Sequence, residues 1–170
     1  MTRFRVLSLS AAAIAIVAGC GGTDTVTPAA ITFTTTLNGS SERPTPNVTP
    51  ASGTATFNLS SDGNTLTWNV VTTGLNNVVA SHIHVGGTEI AGPIILPLYA
   101  AAKSNNPAIS GTMTRAAFVS PLGISWDALI SLMKSGDTYV NVHTDDGVPP
   151  ANTGPGDFPG GEIRGQIPKQ

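Results

Sequence analysis

The chain has 170 residues, of which 11% are charged and 5% aromatic, and its formal net charge is −2. So sparse and slightly acidic a charge set argues against nucleic acid or an anionic membrane face as the partner. The single cysteine rules out an intramolecular disulfide, and the aromatic residues are too few for a carbohydrate-stacking surface.

The chain opens MTRFRVLSLSAAAIAIVAGC: two arginines, an apolar run from Val6 to Ala18, then Gly19 and Cys20. This is the layout of a secretory signal, and the run falls short of the ~20 apolar residues that a permanent span needs. Its VAGC ending resembles the lipobox of bacterial lipoproteins, in which the cysteine is acylated and becomes the mature N-terminus. Residues 1–19 are therefore expected to be a lipoprotein signal peptide, with Cys20 as the lipid-carrying residue. Residues 20–30 then form a flexible tether and 31–170 one exported domain. The anchor would hold the domain to a membrane of the cell envelope, facing the periplasm or the cell surface. Once Arg3 and Arg5 leave with the signal, six basic residues remain against ten acidic ones.

Alternation dominates the domain. Ile31, Phe33 and Leu37 share one parity, as do Ala55, Phe57 and Leu59, and then Leu66, Trp68 and Val70. Period two with Thr and Asn between is the pattern of half-buried antiparallel strands. The Asp-Gly step in SSDGN predicts a hairpin over Thr54–Thr72. Further strands are expected at Ala80–Val85, Pro93–Leu98, Ala108–Thr114, Thr138–Thr144 and Glu162–Ile167. One helix is expected in ISWDALISLMKSGD, with Ser125 as N-cap, Trp126, Leu129, Ile130 and Met133 on the apolar face, and Gly136 as the stop. DDGVPPANTGPGDFPGG reads as a surface loop between the last two strands. The fold class is thus all-β: a Greek-key sandwich or barrel of about eight antiparallel strands with one short helix.

The three histidines fall in two strand segments, SHIHVGG and YVNVHTDDG. On a strand, His82 and His84 project to one face with Cα atoms about 6.5–7 Å apart, and Ile83 and Val85 face the core. His143 shares its parity with Tyr139 and Asn141, opposite Val140 and Val142. A histidine in a β-protein is more often structural than a ligand. Two imidazoles at this spacing can nonetheless lean towards one metal at roughly 2.0–2.1 Å, with the third completing the site. Imidazole alone does not choose among Cu, Zn, Ni and Fe. Asp145, Asp146 or Asp157 could lend an oxygen ligand or orient an imidazole, although TDDG is also a plain turn.

Three segments, SERPTPNVTPASGTATFNLSSDGNTLTWNV, SHIHVGGTEIAGPIILPL and YVNVHTDDGVPPANTGPGDFPGGEIRGQI, together resemble the CHRD (chordin) domain. The resemblance spans Ile31 to Ile167 and is most specific in its closing N-V-H-T … G-G-E-I-R-G-Q signature. In animals that domain is known from an extracellular antagonist of bone-morphogenetic-protein signals. More weakly, HIH and NVH are similar to the copper-binding steps of copper–zinc superoxide dismutases, which are Greek-key β-sandwiches. That similarity implies copper ligands at His82, His84 and His143, and an anion-guiding role for Arg164. The fourth copper histidine, the zinc-loop histidines and the disulfide of those enzymes have no counterpart, so composition excludes a zinc subsite of the dismutase kind.

Three functions stay open. The first is copper binding, for storage or for superoxide-dismutase-like redox chemistry. The second is a cell-surface interaction or adhesion module with structural histidines and no metal. The third is a lipoprotein scaffold without a site. Glu162 and Arg164 read as an ordinary surface ion pair, and no nucleophile-elbow motif supports a hydrolase.

Overall fold

A computed structural model describes residues 28–170. The expected signal peptide and Cys20 lie outside the described residues. Among the described residues, no helix is long and apolar enough to cross a membrane.

Eight strands and one α-helix follow in order, with a single 3-10 turn at Gly39–Ser41 after the first strand: β1 Ile31–Asn38, β2 Ser52–Leu59, β3 Thr65–Thr73, β4 Val78–Val85, β5 Ile94–Ser104, β6 Ile109–Thr114, α1 Trp126–Ser135, β7 Thr138–Thr144 and β8 Ile163–Gln166. They form one antiparallel sheet in the order β5-β4-β7-β8-β1-β2-β3-β6. Its two ends, β5 and β6, approach each other, so the sheet curls into a nearly closed barrel. The all-β, Greek-key expectation holds.

Alternation explains the core. Phe33 and Leu37 of β1, Ala55, Phe57 and Leu59 of β2, and Leu66, Trp68 and Val70 of β3 are buried, while the Thr and Asn side chains of the opposite parity face outward. Each buried Phe or Leu contributes about 1.5–3 kcal/mol over an exposed one. The β2–β3 hairpin closes with Leu59 opposite Leu66, around the Asp-Gly turn. Helix α1 starts where Ser125 accepts a hydrogen bond from the Ala128 N–H and stops at Gly136, whose φ of 82° lies in the left-handed region. Trp126, Leu129, Ile130 and Met133 pack its apolar face into the core.

Two expectations need correction. Strand β5 runs on through Ala100–Lys103 to Ser104, because β4 supplies a partner as far as Val78. The β7–β8 loop is not wholly a surface loop. Gly156, Asp157 and Phe158 are buried in it. Glu162, at its end, is fully enclosed and accepts hydrogen bonds from the Thr49 and Thr144 hydroxyls and the Gly156 N–H.

That loop and two others cover the outer face of β4, β7 and β8. All seven residues of β7 are buried, so this strand has covered layers on both sides. The inner layer is aliphatic. The outer one is polar and contains the histidines.

Candidate metal centre

Strand parity brings the three imidazoles together. His82 and His84 project outward from β4, and Ile83 between them is buried in the core. On β7, Val140 and Val142 face the core. Register places Ala80 opposite His143, His82 opposite Asn141 and His84 opposite Tyr139. One ring nitrogen from each histidine lies within 4.8 Å of the other two. A single ion 2.0–2.1 Å from three nitrogens needs them about 3.4 Å apart, so modest side-chain rotation would complete the set.

The rings are oriented from behind. His84 Nδ1 lies 2.8 Å from the Gly92 carbonyl and His143 Nδ1 2.9 Å from the Pro159 carbonyl. A carbonyl oxygen only accepts, so both Nδ1 atoms carry the proton and both Nε2 atoms keep a lone pair. His84 Nε2 is buried without a hydrogen-bond partner. His143 Nε2 is 3.0 Å from His82 Nδ1, which must donate to it. Gly92 fits this role because a Cβ there would run into the Val85 carbonyl.

The electrostatics keep the rings neutral. Burial pushes His82 down to about 4, reinforced by His143 and His84. His143 also falls to about 4 through burial, against the opposing bond to Pro159. His84 is lowered by burial first, and the Arg164 charge adds to the effect. Neutral imidazoles with free lone pairs are the ligand form.

Arg164, expected to guide an incoming anion, is only 1% exposed. Its guanidinium donates to the Ile90 and Gly87 carbonyls at 2.9 and 2.8 Å and lies 3.4 Å over the Tyr139 ring. Tyr139 in turn stacks on His84. The surface ion pair expected between Arg164 and Glu162 does not form, since both side chains are buried on separate partners.

Sequence reasoning missed Tyr139, Asn141 and Glu42 as members of this layer. Tyr139 and Asn141 carried one signal, the parity of His143. Glu42 carried none. It sits 3% exposed beside Arg164 and Asn141, and burial pushes its carboxyl up to about 7 against the pull of the Arg164 charge. Glu42 Oε1 and Asn141 Oδ1 are both buried without partners. Asp145, Asp146 and Asp157 do not join the imidazoles. They form a separate group, and Asp145 and Asp146 each cap a turn as TDDG suggested.

No curated protein matches the chain. The CHRD domain family, in contrast, matches residues 33–167, nearly the whole of the described fold and all three histidines. The chain belongs to the CHRD domain family.

Proposed function

We propose that this CHRD-domain protein holds a copper ion through His82, His84 and His143, and that it does so as an exported, lipid-anchored protein of the cell envelope. The observation that carries the reading is the convergence of three imidazole nitrogens within 4.8 Å, two of them oriented by carbonyls behind the rings. Such a set has no carboxylate and no thiolate, which disfavours hard cations and blue-copper chemistry. Among divalent ions that accept nitrogen donors, Cu(II) binds most tightly. When bound, copper would supply one-electron redox chemistry.

The protein's own contribution is to arrange lone pairs. His84 and His143 present Nε2 without any change of tautomer. His82 must move its proton from Nδ1 to Nε2 before Nδ1 can serve as a ligand. Tyr139, Gly92 and Pro159 hold the rings meanwhile. Arg164 spends its donors on backbone carbonyls, which favours holding copper over steering superoxide to it. Export and anchoring rest on Arg3, Arg5, the apolar run and Cys20.

The test uses the purified full-length protein, stripped with chelator, loaded with Cu(II) or Zn(II) and dialysed. About one copper per chain is expected, resistant to zinc competition and lost in the triple variant His82→Ala/His84→Ala/His143→Ala. If neither metal is retained, the copper reading falls and the histidines are structural, as in an interaction module. Superoxide removal by the copper-loaded protein separates an enzyme from a carrier. Loss of membrane association in Cys20→Ser checks the anchor.

A further inference from the structure

We propose a second cation site in the β7–β8 loop, formed by Asp145, Asp146 and Asp157 and suited to a hard divalent cation of the calcium class. One carboxylate oxygen from each residue lies within 4.8 Å of the other two. Asp145 and Asp146 each use Oδ1 to accept from their own turns, from Gly147 N at 2.6 Å and Val148 N at 2.7 Å, which leaves Oδ2 unused. Asp157 places Oδ2 against the Thr153 N–H and hydroxyl at 2.9 and 2.8 Å.

The second observation is Asp157 Oδ1. Asp157 is 2% exposed, and this oxygen is buried with no hydrogen-bond partner. Hydrogen bonds from the Thr153 N–H and hydroxyl hold the Asp157 carboxyl below its ordinary range despite burial, so it is an ionised donor whose Oδ1 has a lone pair to offer. Among the described residues, the ion pairs are Arg43–Glu89 and Arg115–Asp127, and neither brings a cation to this carboxylate group. Lys103 Nζ lies beside Gly147 without pairing to any of the three.

A cavity of about 290 Å³ bounded by Asp145, Gly147, Val148, Pro149, Asp157 and Pro159 adjoins the group. It leaves room for the waters that a calcium-class ion needs to reach its six to eight oxygen ligands. All-oxygen donors separate this site chemically from the imidazole centre, so its cation can bind with the imidazoles removed. Asp157 is two residues from Pro159, whose carbonyl orients His143. An ion here would stiffen that support.

The test titrates CaCl2 alone into chelator-stripped full-length protein by calorimetry, with the melting temperature followed in parallel. One saturable event and a rise of several degrees are expected. Both should persist in the triple histidine variant and vanish in Asp157→Asn and in Asp145→Asn. Absence of both signals in the native chain up to about 10 mM, ten times the weakest extracellular calcium modules, overturns the proposal. Unchanged binding in both aspartate variants does the same. If those variants fail to fold, terbium luminescence on the native chain decides: displacement by calcium supports the site, and none rejects it.

Discussion

The His84 imidazole and the Tyr139 ring lie nearly parallel, 10° apart in plane with centroids separated by 4.9 Å. Register sets them side by side, with Gln166 of β8 beyond Tyr139, and from that side the Arg164 guanidinium lies over the same phenol ring. Imidazole, phenol and guanidinium thus form one stack through the polar layer. The stack gives His84 a fixed plane before any metal arrives.

Arg164→Lys tests the stack. An ammonium cannot reproduce a flat guanidinium that both covers a ring and donates to two carbonyls. Breaking this buried charge network is expected to cost about 2–4 kcal/mol in urea unfolding, and copper affinity should drop about tenfold as His84 loosens. Should unfolding and affinity both match the native chain, the stack does not support the site.

Gly92→Ala asks whether the carbonyl behind His84 matters. A methyl at position 92 collides with the Val85 carbonyl, so the loop must lift away from β4. His84 Nδ1 then loses its acceptor, and the 2.9 Å bond from Gly92 N to the Tyr139 hydroxyl goes with it. Copper affinity should fall about 10–100-fold, the usual effect of removing a group that orients a metal-binding histidine. Competition with a chelator of known affinity reads this directly.

The pH dependence of stability has two opposing parts. Folded His82 and His143 resist protonation down to about 4, whereas unfolded imidazoles protonate near 6.5. The unfolded chain then binds more protons, so this contribution is lost as pH falls from 6.5 towards 4. Glu42 has the reverse sign. Its folded carboxyl keeps a proton up to about 7 and its unfolded one only to 4.5, so its contribution is lost as pH rises through that interval. Between 4.5 and 6.5 two imidazoles outweigh one carboxyl, and stability in chelator should rise with pH. Above 6.5 the remaining imidazole gain and the Glu42 loss nearly cancel, so stability should level off, and Glu42→Gln should let it keep rising before its plateau. Urea midpoints taken from pH 4 to 8 check both signs.

What was legible in the chain follows from periodicity. Strand alternation placed His82, His84 and His143 on outward faces, and cap chemistry located α1 from Ser125 to Gly136. The polar layer was not legible, because the segments that cover it have no period to read. Glu42, the Gly86–Gly92 turn and the Phe158–Gly161 stretch reach this polar layer through backbone and side-chain contacts that no periodicity encodes. Arg164 illustrates the gap. Parity gave its side but not the loop that buries it. The Ala100–Lys103 end of β5 was missed for a related reason, since alanine and lysine are weak strand formers and only the β4 partner holds them.

Glu162 offers the sharpest test of that covering layer. Its carboxylate accepts from Thr49 Oγ1 at 2.6 Å, Thr144 Oγ1 at 2.7 Å and Gly156 N at 2.8 Å, tying the segment before β2, strand β7 and the β7–β8 loop to one point. Glu162→Ala leaves three donors unpaired at once, those of Thr144 and Gly156 buried and that of Thr49 half-buried, an expected loss of about 3–5 kcal/mol. Glu162→Gln keeps the volume but turns an NH2 towards a donor, so a loss of about 2 kcal/mol is expected. Because Thr144 follows His143 and its hydroxyl also accepts from Phe158 N, loosening this point should slacken the loop that carries Pro159. Hydrogen exchange over residues 144–162 should therefore speed up in Glu162→Gln while the β1–β3 meander keeps its protection. Uniform acceleration across both regions would mean that the polar layer is no separate unit but part of the barrel's single cooperative core.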